Sequence, residues 1–586
     1  MNPDTTDSIT VDVLVAGTGA GGLTAAFTAR KSGLDVLIVE KDEKLGGTTA
    51  LSGGAIWIPG SHHSKHVQQQ LSRHDDVASA RRYLLDVIGD FADQERIDAY
   101  LREAPEMIAY LEKETKLQYL GIESPDYYSE NPHASVVRTA SPVSCTAREI
   151  GPISKLLKDR LPQSKFLGLG IGGGAEMRYF QNATRSREAM AYVVRKMFKH
   201  FAEVAFLRQS QQIAGGRALV ARLARALIDL GTPIWSSSPI ERLITKDGMV
   251  LGAKVRTPRG LMRVFARYGV VLACGGFGHD IARREQVFPA SAARARNPTS
   301  AGNTGDGIRI SEEAGGVFGG GSQPAAWMPV SAIPGSRGAE GVAVHLTDSQ
   351  RPGFIAVLRN GRRFANESQD YHQFTGHLIA SCKDSTEALA WIVGDRKALR
   401  RWGLGMVRPF PLPHGAYLRS GYLLRGRTIR ELALNAQIDE VQLEETVRSF
   451  NAYAVQGVDP EFGRGGRIYD TYHGDAAVHP NRCLAPLTQA PFFAVRVQAG
   501  IIGTFAGVKT NAQARAITAR GDVIPGLYVV GNDQANVFAG FYPGGGATLG
   551  PAMTFGYIAG KHLAQEVCRS RSNNGLIQSA EAKAAT

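Results

Sequence analysis

The sequence predicts an α/β protein, a parallel sheet with helices on its faces into which a smaller α+β domain is inserted. Three observations carry that prediction. Residues 11–40 run through a Val-rich strand, a glycine turn, an Ala-rich helix and a second strand. Residues 526–563 show a strand, a glycine turn and a helix in the same succession. The chain has 586 residues, several times a common domain of about 150, so the two passages frame a long insertion. We expect the main domain in two pieces, 1–325 and 490–586, around an inserted domain at 326–489.

Val11–Val15, broken only by Asp12, reads as a buried parallel strand. Gly17, Gly19 and Gly22 follow as GxGxxG, then an Ala-rich helix over Leu23–Lys31 and a second strand over Val36–Val39 that ends in Glu40. Gly17 permits the tight turn, Gly19 lets backbone approach a pyrophosphate, and Gly22 lets helix pack on strand. The helix N-terminus faces the phosphates, and Glu40 accepts hydrogen bonds from a ribose. This order marks a Rossmann-like dinucleotide site with Gly17, Gly19, Ala20, Gly21, Gly22, Glu40 and Lys41 as candidate contacts.

The stretch Gly46–Gly54 selects FAD. In NAD-binding folds the chain continues into another βα unit, whereas in two-dinucleotide-fold flavoproteins a glycine-rich stretch here runs along the flavin. Gly47, Thr48, Thr49, Ser52, Gly53 and Gly54 are the candidate contacts. Further on, Ile244–Val255 and Arg259–Phe265 read as strands around an Asp247-Gly248 turn. Tyr268–Ala273 is a buried strand entering Cys274-Gly275-Gly276, with Ala273 and Gly275 beside the cofactor. Asp306 reads either as a cofactor contact or as a helix N-cap. Finally, Gly526–Asp533 brings Gly531 and Asn532, and the loop Gly540–Met553 brings Ala547 and Leu549 before an apolar helix at Thr554–Leu563. That helix start offers backbone N–H groups to an anionic edge. We read no separate NAD(P)H domain, so an external electron acceptor such as a quinone is expected.

Together these residues resemble the fumarate reductase/3-ketosteroid dehydrogenase class of FAD flavoproteins, over nearly the whole chain. The block YPGGGATLGPAMTFGY from Tyr542 is most similar to the 3-ketosteroid Δ1-dehydrogenase branch. The resemblance implies a steroid-like apolar substrate whose 3-carbonyl takes hydrogen bonds from the Tyr542 hydroxyl and the Gly546 N–H. It implies that Tyr371, shortly after Gly361-Arg362-Arg363-Phe364-Ala365-Asn366-Glu367, removes the C2 proton while the C1 hydride goes to flavin N5. Tyr127, in Pro125-Asp126-Tyr127, would assist, with neighbouring Tyr128 competing for that position. Tyrosine has an unperturbed pKa near 10, so a positive potential is expected at Tyr371. His372 and His377 read as satisfied histidines, and Arg351, Arg362 and Arg363 as solvated or ion-paired. Two alternatives stay open: a 3-keto-5α-steroid Δ4-dehydrogenase, and a fumarate reductase-like enzyme acting on a dicarboxylate. The apolar, aromatic run Val537–Tyr542 favours a flat lipophilic substrate, since a dicarboxylate needs cationic clamps.

Composition excludes other classes. An apolar share of 43% with 21% charged residues describes a globular chain. Five widely spaced cysteines without CxxC argue against a disulfide framework, an iron–sulfur cluster or a structural zinc, and fit a cytoplasmic chain. Met1–Thr10 is polar and no run of 18 apolar residues follows, so neither a signal peptide nor a spanning helix is expected. The net charge of +13 raises nucleic acid as a partner, but no recognition motif supports it. The charge gathers instead in residues 146–200, a basic helical insertion with eleven Lys and Arg against four Asp and Glu. Leu156, Phe166 and Phe198 are interleaved there. Two readings stand: an ordinary basic helical face, or peripheral contact with the anionic inner face of a cell membrane.

Overall fold

A computed structural model describes residues 7–172, 175–208, 210–336 and 341–584. Strand Ser8–Ala16 pairs in parallel with Val36–Val39 on one side and with Gly260–Leu272 on the other. Ile234–Trp235 extends the parallel set past Val36–Val39, and Val523–Val529 joins parallel to Gly260–Leu272. Both ends of the chain therefore contribute to one eight-stranded sheet. The strands expected at 259–265 and 268–273 are a single strand, which turns back through antiparallel Met249–Thr257 and Ile240–Lys246.

Val13, Leu14, Val15 and the whole of Val36–Val39 are buried, as strands covered on both faces must be. The helix Ala20–Lys31 is Ala-rich because it is buried along almost all its length. Its approach to the first strand is close: a Cβ on Gly22 would meet the Gly17 carbonyl at 2.1 Å. Helix Gly216–Asp229 buries Leu219, Leu223 and Leu227, the stripe that their spacing of four predicts. The helix expected from Thr554 begins at Leu549.

A second, six-stranded sheet is antiparallel throughout. Its long strand Phe492–Thr504 pairs with Ala325–Ala332, Leu389–Gly394 and Leu424–Gly426. The division into 1–325, 326–489 and 490–586 is a proposal about folding units. This pairing argues for its second junction after Thr504. Residues 146–200 hold short turns, a two-residue-per-strand hairpin at Lys165–Phe166 and Leu169–Gly170, and helix Ala175–Asn182. They also contain the start of helix Arg187–Leu207. Among the described residues no helix is long and apolar enough to cross a membrane.

Candidate active site

A cavity of about 610 Å³ is bounded by elements of both sheets. At one end lie Gly17, Gly19, Ala20, Gly21, Glu40 and Lys41. The helix Ala20–Lys31 starts without a side-chain cap, which leaves N–H groups open to an anion; Ala20 N donates to Thr49 Oγ1 at 3.0 Å. Glu40 accepts from Thr18 N at 3.0 Å, from the Thr18 hydroxyl, and from Asp42 N at 2.9 Å. Thr18 was not legible as a site residue, since GxGxxG leaves that position free. Lys41 Nζ meets Asp306 Oδ2 at 2.7 Å. Asp306 thus lines the cavity as an ion-paired residue, while Gly305 is the N-cap.

Gly47, Thr48, Thr49, Ser52, Gly53 and Gly54 form the middle of the wall, with Ala273, Gly275, Gly531, Asn532 and Leu549 also lining it. Thr48 Oγ1 accepts from Ser300 N at 3.0 Å and from Asn303 Nδ2 at 2.9 Å. Asp533 is another residue that the sequence did not disclose. It is buried and accepts from Gly276 N at 2.8 Å and from Cys274 N at 2.5 Å, pinning the glycine pair to the last turn. Burial pushes its carboxyl up to about 6. Two expected contacts fall outside the lining. Gly22 packs on Gly17, and Ala547 is buried with its carbonyl accepting from Asn536 Nδ2 at 3.4 Å.

Three tyrosines from distant parts of the chain converge at this wall. The ring centroids of Tyr127 and Tyr542 are 5.3 Å apart and stacked, and Tyr371 meets both edge-on at 5.5 Å. Tyr127 N donates to Pro543 O at 3.0 Å, which fastens the first segment to the glycine loop. Asp126 is itself held by Trp57 Nε1 at 2.8 Å and Arg138 Nη1 at 2.7 Å. Tyr128 turns instead towards Phe541. Tyr371 is the first residue of helix Tyr371–Ser381, capped by Asp370, whose Oδ1 accepts from His372 N and Gln373 N. Gly546 has φ +101°, and a Cβ there would meet Ile56 Cα at 2.5 Å. A fourth ring, Tyr469, lies 5.1 Å from Tyr127; no motif surrounds it in the sequence.

Burial pushes the Tyr371 phenol well above its ordinary value, and Tyr127 and Tyr542 act in the same direction. The positive potential expected there comes from the start of its own helix. His372 is buried, accepts from Trp327 N at 3.1 Å, and is pushed by burial down to about 4. It is a neutral structural histidine. Arg363 is buried, not solvated, and bridges Glu367 at 2.7 Å and Asp459 at 2.8 Å. Of the run Val537–Tyr542, Tyr542 lines the cavity and the rest does not: Phe538 packs edge-on against Trp57 and Tyr100 in the core. The apolar wall comes from Leu51, Met328, Val344, Leu346 and Ile502.

The family described as FAD binding domain matches residues 12–549. The chain belongs to this family. It is 34% identical over 583 residues to a 4-oxocyclohex-2-ene-1-carboxylate 5-dehydrogenase of Sinomonas cyclohexanicum, covering 99% of this chain and 98% of that protein. It is 32% identical over 577 residues to a 3-oxosteroid 1-dehydrogenase of Mycolicibacterium smegmatis, covering 96% and 98%. Among solved structures it matches 3-ketosteroid delta1-dehydrogenase from Sterolibacterium denitrificans in complex with 1,4-androstadiene-3,17-dione. That match has a TM-score of 0.88 at 34% identity, covering 95% of this chain and 100% of that one.

This FAD binding domain protein is accordingly a flavin-dependent oxidoreductase of the fumarate reductase/3-ketosteroid dehydrogenase class. The donor set fits FAD. An uncapped helix start faces the cavity beside the glycine turn, suited to a pyrophosphate. Glu40 stands where a ribose needs an acceptor, and glycines at 47–54, 275, 531 and 545–546 line the wall further on.

Proposed function

We propose that this flavoenzyme introduces the Δ1 double bond into a 3-ketosteroid A-ring by removing hydrogens from C1 and C2. The observation that carries the reading is the convergence of Tyr127, Tyr371 and Tyr542 within 5.5 Å of one another at the cavity wall. A C–H beside a ketone loses its proton when the resulting enolate is stabilised. Tyr542 hydroxyl and Gly546 N–H donate to the carbonyl oxygen, one such donor contributing about 3–4 kcal/mol. Tyr371, as phenolate, takes the C2 proton. Burial and the adjoining Tyr127 and Tyr542 oppose that phenolate, and the positive end of helix Tyr371–Ser381 favours it. FAD, when bound, supplies the acceptor for the C1 hydride. Leu51, Met328 and Ile502 exclude water from the ring.

A second reading is favoured by the Sinomonas relative at 34% identity: the same chemistry on a monocyclic oxo acid. Anaerobic mixing of the yellow protein with androst-4-ene-3,17-dione, a 5α-reduced ketosteroid, 4-oxocyclohex-2-ene-1-carboxylate and succinate, each separately, tests both. Bleaching by androst-4-ene-3,17-dione supports the main reading. Bleaching by the oxo acid alone moves it to the second, by the 5α-steroid alone to Δ4 chemistry, and by succinate alone or by none defeats it.

We also propose peripheral contact with an anionic membrane, from which an apolar substrate and a quinone acceptor would be drawn. Met190, Val194, Phe198 and Phe201 are exposed on successive turns of helix Arg187–Leu207, Phe198 at 77%. Arg187, Arg195 and Lys199 share that helix. Apolar side chains among cations suit an anionic lipid surface. Flotation with anionic liposomes at low salt is expected for the native chain and lost in Phe198→Ser/Phe201→Ser; a native chain that stays unbound refutes the contact.

A further inference from the structure

The cavity wall formed by residues 160–164 and 171–172 carries polar groups that the desaturation chemistry does not use. Arg160, Gln163 and Arg408 all line the cavity. Arg160 Nη1 donates to Ile171 O at 2.6 Å, while its Nε is buried without a partner. Both side-chain amide atoms of Gln163 are likewise buried and unpartnered. Arg408 Nη2 donates to Gln163 O at 2.7 Å and Lys165 O at 2.9 Å, so it grips the same turn from the other side.

Among the described residues no ion pair reaches either guanidinium, and Asp348 acts on Arg408 only through its charge. The acidic residues lining the cavity are Glu40, Asp306 and Asp348. Glu40 is taken by Thr18, Asp306 by Lys41, and Asp348 Oδ2 lies 2.7 Å from His345 Nδ1. Glu176, the nearest acid acting on Arg160, has its oxygens held by Gly172 N at 2.6 Å and Lys196 Nζ at 2.9 Å. Arg217 adds a second positive charge beside Arg160. Desolvation pushes Arg160 down to about 10 and lowers Arg408 as well. A buried cation and an unsatisfied amide cost free energy until an anion with two acceptor oxygens meets them.

We propose that Arg160, Gln163 and Arg408 receive a carboxylate carried by the substrate away from its oxo group, and so select ring-oxo acids over neutral ketones. The proposal rests on the ring-ketone reading above. A planar guanidinium fork matches a carboxylate bidentately, and the Gln163 amide adds a neutral donor. The carboxylate has two sources, a monocyclic oxo acid or the side chain of a steroid acid.

The test uses the full-length holoenzyme with 4-oxocyclohexane-1-carboxylate, 3-oxochol-4-en-24-oic acid, the methyl ester of each, and neutral androst-4-ene-3,17-dione. The native enzyme is expected to have a higher kcat/KM for at least one acid than for its ester; whichever acid shows this identifies the source. Arg160→Gln and Arg408→Gln should raise KM for that acid roughly tenfold or more with kcat little changed, the signature of lost uniform binding, and leave the neutral ketone unaffected. Equal rates with acids and esters, a parallel loss on acid and neutral ketone, or release of FAD by Arg160→Gln each overturn the proposal. Failure of the ring-ketone reading shows separately, as no bleaching by any ketone. Binding of the unreactive cyclohexanecarboxylate is then followed by its perturbation of the flavin spectrum. Weakening in Arg160→Gln supports the carboxylate site, and absence of binding to the native enzyme overturns it.

Discussion

Replacing Tyr371 with Phe removes one oxygen and leaves the ring. Its edge-on contacts with Tyr127 and Tyr542, both at 5.5 Å, persist, and the helix it opens keeps the Asp370 cap. The stability change is confined to the lost buried hydroxyl, about 1–3 kcal/mol, so the variant should fold and hold FAD. Its chemistry should collapse. A positioned base contributes roughly 10²–10⁴-fold, or about 3–5.5 kcal/mol of barrier. Anaerobic stopped-flow bleaching reads that loss directly, with FAD content measured on the same sample. The pH dependence carries a sign. A base must be deprotonated to act, and burial pushes Tyr371 above its ordinary value. Native kcat/KM should therefore rise about tenfold per pH unit through neutrality, and the variant's residual rate should be flat. A variant that bleaches at more than about a tenth of the native rate with full FAD, or a native profile without slope, refutes the role of Tyr371.

Other residues give sharper or cruder readouts. Tyr542→Phe should lower kcat by about 10²–10³ with a smaller change in KM, measured in steady state. Gly546→Ala forces a side chain into Ile56 at φ +101°; turnover should be lost together with displacement of the loop, seen as faster chymotryptic cleavage between 540 and 550. Glu40→Ala should weaken FAD binding by about 10- to 100-fold, the worth of charge-assisted hydrogen bonds, read by flavin fluorescence on dilution. Glu367→Ala takes from the buried Arg464 its carboxylate partner and leaves Arg363 to Asp459 and Glu461, and should cost about 3–5 kcal/mol in urea unfolding.

What could be read from the sequence was what is local. The strand, glycine turn, helix and acid of residues 11–40 act on one another within a few turns of chain, so their spacing reports their geometry. Tyr542 and Tyr371 were marked by adjoining motifs, and Tyr127 was separated from Tyr128 only by which ring stacks on Tyr542. Of the two readings open for Arg363, solvated or ion-paired, the structure shows the second; two of its three carboxylates, Asp459 and Glu461, come from another part of the chain and could not be named from sequence. The same distance hid Asp533, whose hydrogen-bond partners are Cys274 and Gly276. An apolar run does not say whether it faces a core or a cavity, and Phe538 faces the core. Tyr469 had no signal, because its importance lies in where Ser129 holds its backbone N–H, at 3.1 Å.

Strand Val523–Val529 completes a sheet whose first strand is Ser8–Ala16. On a ribosome adding about 5–20 residues per second, roughly half a minute or more separates the two. During that time the edge of Gly260–Leu272 and the apolar helix Ala20–Lys31 wait for partners from the carboxyl end. Flavin loading then waits for Gly531, Asn532 and Leu549, among the last parts of the cavity wall to be made. A truncated product lacking that end should be both colourless and prone to aggregate through the exposed strand edge.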